Sequence, residues 1–180
     1  YDRIIFNKLK AILGGRVRLM VTGSAPIQPD TLDFLKAAFC SILLEDYGQT
    51  EATALEVITV ENDPLAGHVG GPSLINEIKL VDVPELNYTS RDRDAQGNPT
   101  PRGEIWVRGP NVIPGYYKMD DKNDETFTAD GWLKSGDIGM FFSAERRLKI
   151  IDRKKNIFKL AQGEYIAPEK LENIYRLAHP

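Results

Sequence analysis

The sequence predicts an α/β protein built from two unlike parts, a parallel α/β layer and a small antiparallel, barrel-like β unit. Helix and strand patterns alternate over residues 1–60, which is typical of a parallel layer. Over residues 61–151, glycine and proline turns separate short strands of alternating apolar residues, which is typical of antiparallel sheet. Residues 152–180 open on a basic turn and form a third segment.

Four elements are expected in the first segment. Apolar residues at helical spacing predict helices over residues 2–13 and from Pro29 onward, and short strands are predicted over residues 17–21 and 42–44. A sharp turn follows each strand. Because ligands of parallel α/β sheets bind beyond the carboxyl ends of the strands, the two turns are candidate binding loops.

The second and third segments are expected to be mainly β-structure. Alternating apolar residues predict the strands, and glycine and proline predict the turns. The expected elements are strands over residues 77–83, 104–108, 148–151 and 156–160, a hairpin tip at 96–99, and a final helix from Pro168.

Composition and charge describe a globular protein with one unusual region. The 180-residue chain is 42% hydrophobic and 27% charged, with a net charge of −3. No apolar run approaches the roughly 20 residues that span a bilayer, no signal-peptide pattern opens the chain, and Cys40 is expected to be a reduced core thiol. Residues 145–159 carry seven Lys or Arg against two acidic residues, which indicates an anionic ligand. We expect no nucleic-acid partner.

Several common catalytic motifs are missing from the sequence. No G-x-G-x-x-G follows a strand and no G-x-x-x-x-G-K-[ST] is present, so neither a dinucleotide site nor a P-loop is supported. Two isolated histidines and one cysteine do not make a zinc site. Ser24 stands in Gly-Ser-Ala-Pro rather than G-x-S-x-G, with no histidine placed to activate it, so a serine nucleophile is not expected.

The turn after the second predicted strand reads Asp46-Tyr47-Gly48-Gln-Thr50-Glu51 and has two interpretations. In the first, Tyr47 offers a flat face to a base and Gly48 lets a ligand approach the backbone. Thr50 then offers a hydroxyl to a phosphate, and Glu51 offers a hard oxygen ligand to Mg²⁺. In the second, the segment is a turn into a helix, with Thr50 as N-cap and Glu51 near the positive helix end. These residues alone leave both open.

Two further charged positions have the same ambiguity. Asp137 lies between two glycines, where its carboxylate could accept two hydrogen bonds from a ribose diol or could form an Asx turn. Arg153, Lys154 and Lys155 could contact an anion or form a solvated charged turn.

Together, these segments resemble the long-chain fatty acyl-CoA synthetases of the adenylate-forming, AMP-binding superfamily. Residues 47–51 are similar to that family's Tyr-Gly-x-Thr-Glu loop. Residues 103–105, with Gly109 and residues 115–117, are similar to its β-subdomain motif. Residues 130–155 are similar to its signature, from Asp-Gly-Trp-Leu to Ile-Ile-Asp-Arg-Lys-Lys.

The chain departs from the family pattern in two places. Ser135 stands where threonine is usual and keeps the hydroxyl, while arginines at 146–147 replace a turn glycine and affect only the shape of that turn. The resemblance implies the end of a large N-terminal adenylate-forming domain, followed from residue 152 by the start of a small α+β C-terminal domain. It also implies that the family's phosphate loop and catalytic lysine are not among these residues, so the 180 residues alone are expected to be inactive.

The resemblance implies an ATP-dependent ligase. A long-chain fatty acid would attack the α-phosphate of ATP with Mg²⁺ to give acyl-AMP, and coenzyme A would then displace AMP to give fatty acyl-CoA. Thr50 would contact the phosphate, Glu51 the Mg²⁺, Asp137 the ribose, and Arg153 the same sugar or the phosphate, while Asp152 would be the hinge between the domains. Two short segments would hold the adenine: Gly23, Ser24, Ala25 and Pro26, and Asp46, Tyr47 and Gly48.

Two other functions stay open. An adenylating enzyme acting on an amino acid or an aryl acid is disfavoured by residues 130–155, because other branches diverge there. A nucleotide- or lipid-binding module without catalysis is disfavoured by intact Thr50, Glu51, Asp137 and Arg153. A cytosol-facing location is expected, with the parent enzyme on the endoplasmic reticulum, the peroxisome or the mitochondrial outer membrane.

Overall fold

The computed structural model describes residues 5–39, 42–61, 63–142, 147–159, 165–166, 171 and 175. The predictions for Cys40 and for the start of the final helix at Pro168 lie outside these residues. Leu171 and Tyr175, farther along that predicted helix, are helical.

The first sheet is mixed rather than purely parallel. Its elements are helix α1 (Asn7–Ile12), strand β1 (Leu19–Thr22), helix α2 (Pro29–Phe39), and strands β2 (Ile42–Tyr47), β3 (Val57–Ile58) and β4 (Gly71–Pro72). The predicted parallel pairing of β1 and β2 is confirmed, with α2 as the crossover. β3 and β4 add antiparallel neighbours, in the order β1-β2-β3-β4. A parallel addition needs a crossover of a dozen or more residues, whereas only a short 3₁₀ turn, Thr50–Ala52, precedes β3.

The second sheet is antiparallel, as predicted. Its strands follow one another in chain order: β5 (Glu77–Val81), β6 (Arg102–Arg108), β7 (Leu133–Phe142) and β8 (Arg147–Arg153). In the part of the chain that the structure describes, the four strands form a meander from β5 to β8, and the outer side of β8 bonds the segment at Val69 and Gly70. Two more strands, β9 (Phe158–Lys159) and β10 (Tyr165–Ile166), form a separate antiparallel pair.

One apolar core joins the two sheets. Ile105 and Val107 point to the same face of β6 and are fully buried, as their alternation predicts. They pack with Val57 of β3 and with Leu133 and Leu148 of β7 and β8. Burying each large aliphatic side chain stabilises the fold by about 1.5–3 kcal/mol. This shared core holds the first sheet, with the loops at its edge, against the second sheet.

The predicted boundary at residue 60 falls between strands of one sheet. β4 follows that residue in the chain and yet pairs with β3. Gly70, just before β4, also bridges to Leu148 of β8. The division into segments at residues 60 and 151 stays a prediction.

Helix α3 (Asp120–Thr126) was not predicted, because its sequence DDKNDET offers no apolar periodicity and buries no residue. Its first-turn acids, Asp120 and Asp121, favour the positive helix end. Asn123 ties it to the preceding loop through two hydrogen bonds to the backbone of Tyr116. None of the helices in the described residues is long and apolar enough to cross a membrane.

A buried ion pair fastens the loop after β3 to the start of β8. Asp63, whose side chain is 5% exposed, accepts hydrogen bonds from Arg147 Nε at 2.9 Å and Nη2 at 3.1 Å. Asp63 Oδ2 also lies 3.4 Å from Nε2 of the buried His68. His68 Nδ1 accepts the Gly70 N–H, so the imidazole proton is on Nε2 and faces Asp63.

We expect Asp63→Asn to destabilise the chain by about 3 kcal/mol, because it removes the buried carboxylate that forms a charged pair with the mostly buried Arg147. Burial raises the pKa of Asp63, but its bonds to Arg147 and Leu65 outweigh burial and the pKa is lowered overall. The stabilisation is therefore present above the unfolded pKa and lost as the pH falls through the folded pKa. Urea unfolding at pH 7 and pH 3 checks both points, with the exposed Asp82→Asn as control. Equal pH dependence in Asp63→Asn and the unsubstituted chain would contradict them.

Candidate functional site

The two predicted binding loops lie together at one edge of the first sheet. Because β1 and β2 are parallel, with Thr22 opposite Glu45, the residues that follow both strands emerge side by side. Gly23 lies so close to β2 that a Cβ there would be 1.9 Å from Oδ1 of Asp46. The sequence prediction that these two segments share one site is consistent with this contact.

The loop after β1 is shaped for contact rather than for packing. Ser24, Ala25 and Pro26 are exposed. Ser24 has φ +66°, a left-handed conformation that a non-glycine residue rarely adopts. Such strain is found preferentially where the backbone must present itself to a ligand.

The loop after β2 differs from its prediction in two details. β2 continues through Tyr47, so Asp46 and Tyr47 are strand residues. The space beside Gly48 is filled by the chain itself, since a Cβ there would lie 1.4 Å from the carbonyl oxygen of Ala54. The close packing of Ala54 therefore explains the glycine at position 48, whereas the sequence interpretation explained it by the approach of a ligand. Thr50 is the first residue of the 3₁₀ turn and not its N-cap, and its side chain is exposed.

Asp137 lies in the middle of β7, where a bulge aims its side chain. Glu104 pairs with Ile138 and Trp106 with Lys134, so β7 has more residues than β6 across this step. Gly136 takes φ +75° within the bulge, which a residue with a side chain rarely adopts. The Asp137 N–H bonds the Ser135 hydroxyl at 3.0 Å. The carboxylate is consequently set by a strand irregularity rather than by an exposed Asx turn.

The carboxylate of Asp137 bonds two other predicted site residues, Tyr47 and Arg153. Tyr47 Oη donates to Asp137 Oδ2 at 2.8 Å, across a separation of 90 residues. Arg153 Nε donates to Asp137 Oδ1 at 2.9 Å, from the directly opposite position on β8. Burial, reinforced by the neighbouring Asp137, raises the pKa of Tyr47, so its hydroxyl stays a donor. The structure thereby brings the tyrosine face, the acidic residue and the basic residue to one point.

Glu51 lies farther along the same loop and is held by a tyrosine that sequence reasoning did not single out for this role. Tyr116 Oη donates a hydrogen bond to Glu51 Oε1. The Glu51 carbonyl also accepts the Ile113 N–H at 2.8 Å. Tyr116 belongs to the Gly-Tyr-Tyr motif, which was the one sequence feature that could have indicated a role for it in the site.

Asp152, the predicted hinge residue, is buried near the end of β8. Its side chain accepts a hydrogen bond from Tyr88 Oη, and the turn over residues 154–156 begins just beyond Arg153.

Lys154 has a structural explanation that the motif did not supply. Its ammonium lies 3.5 Å from Glu104 Oε2, and its N–H bonds the Gly136 carbonyl at 2.8 Å. These contacts brace the bulge that carries Asp137.

Glu56 is a second feature that the sequence did not reveal. It is fully buried, and neither carboxyl oxygen has a hydrogen-bond partner among the described residues. Burial raises the pKa of Glu56 to about 8, with Gln49 opposing the shift and the Asp137 carboxylate adding to it. Burial likewise raises the pKa of Glu45 to about 7. Glu45 lies on β2, and the Glu56 N–H bonds the carbonyl of Tyr47, the last residue of that strand, at 3.0 Å.

The donor set fits a nucleotide with a metal shared between protein and phosphate. Within the described ranges no cluster of three His, Cys, Asp or Glu side chains could hold a metal by itself. Mg²⁺ is commonly held by one or two carboxylates together with substrate phosphates, so a single Glu51 beside the exposed Thr50 is compatible with it. Asp137, with oxygens facing Tyr47 and Arg153, is the acceptor suited to a sugar diol.

Several known proteins are similar to this chain in sequence and in fold. A family model described as "AMP-binding enzyme" matches residues 3–117. The chain is 54% identical over 175 residues to the peroxisomal long chain acyl-CoA synthetase 7 of Arabidopsis thaliana, covering 97% of this chain and 24% of that protein. It is 54% identical over 180 residues to long-chain-fatty-acid–CoA ligase 1 of Homo sapiens, covering 100% of this chain and 24% of that protein. It therefore spans about a quarter of the length of these relatives.

Solved structures agree with the predicted fold. The A domain of a carboxylic acid reductase from Segniliparus rugosus, in complex with AMP and a co-purified carboxylic acid, has TM-score 0.72 at 35% identity over 95% of this chain and 25% of that chain. The unliganded O-succinylbenzoate coenzyme A synthetase from Bacillus subtilis has TM-score 0.70 at 28% identity over 96% of this chain and 37% of that chain. The resemblance and the adenylate-forming fold class are both confirmed, and the chain belongs to the AMP-binding enzyme family.

Proposed function

We propose that this chain supplies the nucleotide-facing part of an ATP-dependent long-chain fatty acid–CoA ligase. The observation that carries the proposal is the convergence of Tyr47, Asp137 and Arg153 in one hydrogen-bonded group. The sequence similarity to long-chain fatty acid–CoA ligases supports the substrate class. These relatives include two proteins named peroxisomal, and a cytosol-facing location stays a prediction.

In the proposed first step, a fatty acid carboxylate oxygen bonds to the α-phosphorus of ATP. The bond to the bridging oxygen breaks, and pyrophosphate leaves. Residues 23–26 and 46–48 would hold the adenine, Asp137 the ribose, and Arg153 the same sugar or the phosphate. Thr50 would donate to a phosphate oxygen, and Glu51 would hold Mg²⁺, which neutralises charge on the phosphates. The residues contribute position and charge rather than a nucleophile, as phosphoryl chemistry requires.

In the proposed second step, the thiol of coenzyme A gives up its proton to solvent and its sulfur bonds to the acyl carbonyl carbon. The bond from that carbon to the phosphate oxygen breaks, and AMP leaves. A rotation between domains would separate the two steps. We propose that the pivot of this rotation starts at Asp152. Asp152 itself would stay with β8, because its side chain accepts a hydrogen bond from Tyr88 Oη. The exposed turn over residues 154–156, beyond the sheet, would then absorb the change in backbone angles.

ATP–pyrophosphate exchange tests the proposed activity on an enzyme of the relatives' full length that contains these residues. We expect exchange to require a fatty acid and to be fastest with long chains, while aryl acids support little. Exchange driven best by an aryl or amino acid would instead favour another adenylate-forming ligase. ATP binding without exchange for any acid would favour a non-catalytic binding module.

The 180 residues alone are expected to show no ligase turnover. The phosphate loop and catalytic lysine that the resemblance implies are not among them, so the transition-state charge would lack most of its stabilisation. ATP- and coenzyme A-dependent formation of palmitoyl-CoA by the purified chain is the measurement, with the longer enzyme as positive control. Clear turnover by the short chain would contradict this prediction.

A further inference from the structure

Glu51 is tied to a distant segment by two separate contacts. Its carboxylate oxygen Oε1 accepts a hydrogen bond from Tyr116 Oη, which is 65 residues away in the chain. Its carbonyl accepts the Ile113 N–H at 2.8 Å. Both the backbone and the side chain of Glu51 are thus positioned by the segment that leads into α3.

Tyr116 is itself held firmly by α3. Asn123 Oδ1 accepts the Tyr116 N–H at 2.6 Å, and Asn123 Nδ2 donates to the Tyr116 carbonyl at 3.0 Å. The tyrosine ring packs 5.9 Å from the Phe127 ring, and Lys122 Nζ lies 4.1 Å over its face. These contacts hold the backbone and the ring of Tyr116, and so they fix the position from which its hydroxyl donates. They do so although α3 has no buried residue.

The chemistry of this contact suits a metal-binding carboxylate. A tyrosine phenol has an ordinary pKa of about 10, so it is a neutral hydrogen-bond donor throughout the physiological range. A neutral donor fixes the orientation of a carboxylate without cancelling its charge, whereas a lysine or arginine partner would compete with a cation. Because Tyr116 engages Oε1, the second oxygen, Oε2, is the one left to face a metal.

We propose that Tyr116 is a positioning residue for the metal-binding carboxylate of Glu51, with α3 as its support. This inference rests on the proposed function, in which Glu51 holds Mg²⁺ beside the phosphates of ATP. Such an arrangement corresponds to the support that carboxylate ligands receive from surrounding hydrogen bonds in metal sites. Tyr116 acts through Glu51 and does not itself touch the substrate.

The test compares Tyr116→Phe with Tyr117→Phe in an enzyme of the relatives' full length. Both variants lose one phenol oxygen, but Tyr117 is 85% exposed and, among the described residues, it is the Tyr116 hydroxyl that bonds the Glu51 carboxylate, so Tyr117 is the matched control. We expect Tyr116→Phe to raise the Mg²⁺ concentration for half-maximal ATP–pyrophosphate exchange by about 10-fold or more, the typical effect on metal affinity of losing a hydrogen bond that orients a metal ligand. The rate at saturating Mg²⁺ should change by less than about 2-fold, since the ligand itself remains.

A binding measurement separates positioning from general damage. Mn²⁺ bound to the enzyme in the presence of ATP, followed by electron paramagnetic resonance, should weaken in Tyr116→Phe and not in Tyr117→Phe. Binding of AMP without metal should be unchanged in both. Asn123→Ala keeps the hydroxyl but loosens its support, so a smaller shift in the same direction is expected.

Glu51→Gln makes the possible failures distinguishable. If Glu51→Gln leaves the Mg²⁺ dependence unchanged, the metal role in the proposed function is wrong, and this inference is wrong with it. If Glu51→Gln shifts that dependence while Tyr116→Phe behaves like Tyr117→Phe, only the positioning role is overturned. Equal losses of metal and AMP binding in Tyr116→Phe would indicate a purely structural residue and would also overturn it.

Discussion

Asp137→Asn is expected to weaken ATP binding by about 10- to 150-fold, the effect of losing one hydrogen bond to a charged acceptor. The amide keeps one oxygen, which Tyr47 can still bond, but it cannot accept from both ribose hydroxyls and from Arg153. Stability should change little, because the Arg153 side chain is 62% exposed and water can replace its partner. Calorimetric titration of ATP into an enzyme of the relatives' full length measures the affinity. Asp130→Asn, the same charge change at an exposed site, is the control.

Deoxynucleotides test whether the ribose is what Asp137 binds. If the carboxylate accepts from a ribose hydroxyl, removing that hydroxyl and removing the charge eliminate the same interaction. The loss caused by Asp137→Asn should then shrink for 2′-deoxy-ATP or 3′-deoxy-ATP, as in a double-mutant cycle. Full additivity with both analogues would contradict a ribose contact, and would leave Asp137 with the structural role of holding Tyr47 and Arg153.

Glu56→Gln is expected to make the chain more stable near pH 8 and less dependent on pH. The pKa of this carboxyl is raised from 4.5 to about 8, mainly by burial. The folded state therefore holds a proton that the unfolded state releases over that interval, and stability falls as the pH rises through it. The loss is at most about 1.4 kcal/mol per pH unit for this group. Glutamine removes the titration while keeping the shape.

Urea unfolding of the chain between pH 5 and pH 8 measures this effect. Glu61→Gln, at an exposed position, should keep the original pH dependence and serves as control. Glu45, whose pKa is raised to about 7, adds a change of the same sign, so a smaller slope should persist in Glu56→Gln. Identical slopes in Glu56→Gln and the unsubstituted chain would show that Glu56 is ionised normally in the folded protein.

Local pattern was sufficient for many of the elements. Helix α2 begins at Pro29 as predicted, because proline at a helix start satisfies local geometry. The hairpin tip is present, with Gly97 at φ +87° and the Asp94 side chain bonding the N–H of Asn98. Strand β8 covers its predicted residues because alternating apolar residues report a half-buried face.

Elements without a local signal were missed. Helix α3 has no apolar stripe, since it is held by polar bonds to Tyr116 rather than by the core. Strands β3 and β4 have only two residues each, so their antiparallel pairing depends on partners that lie far along the chain. β7 runs through Gly136, a residue that reads as a turn locally, because the pairing with β6 and β8 tolerates a bulge there.

The same distinction, between features with and without a local sequence signal, applies to the candidate site. The sequence by itself determined the family resemblance and the kinds of side chain available, because the motifs that carry the resemblance lie in short contiguous stretches. Only the tertiary structure decided which of them meet. Tyr47 and Asp137 are 90 residues apart and come together through the packing of two sheets on one core.

The supporting contacts were likewise beyond the reach of local pattern. The bonds from Tyr116 to Glu51 and from Tyr88 to Asp152, and the burial of Glu56, have no counterpart in residue spacing. Hydrogen bonds and desolvation act over a few ångströms of space, whereas sequence patterns report only neighbours along the chain. The kinds of side chain in the candidate site could thus be predicted from the sequence, while the placement and protonation of its carboxylates depend on the fold.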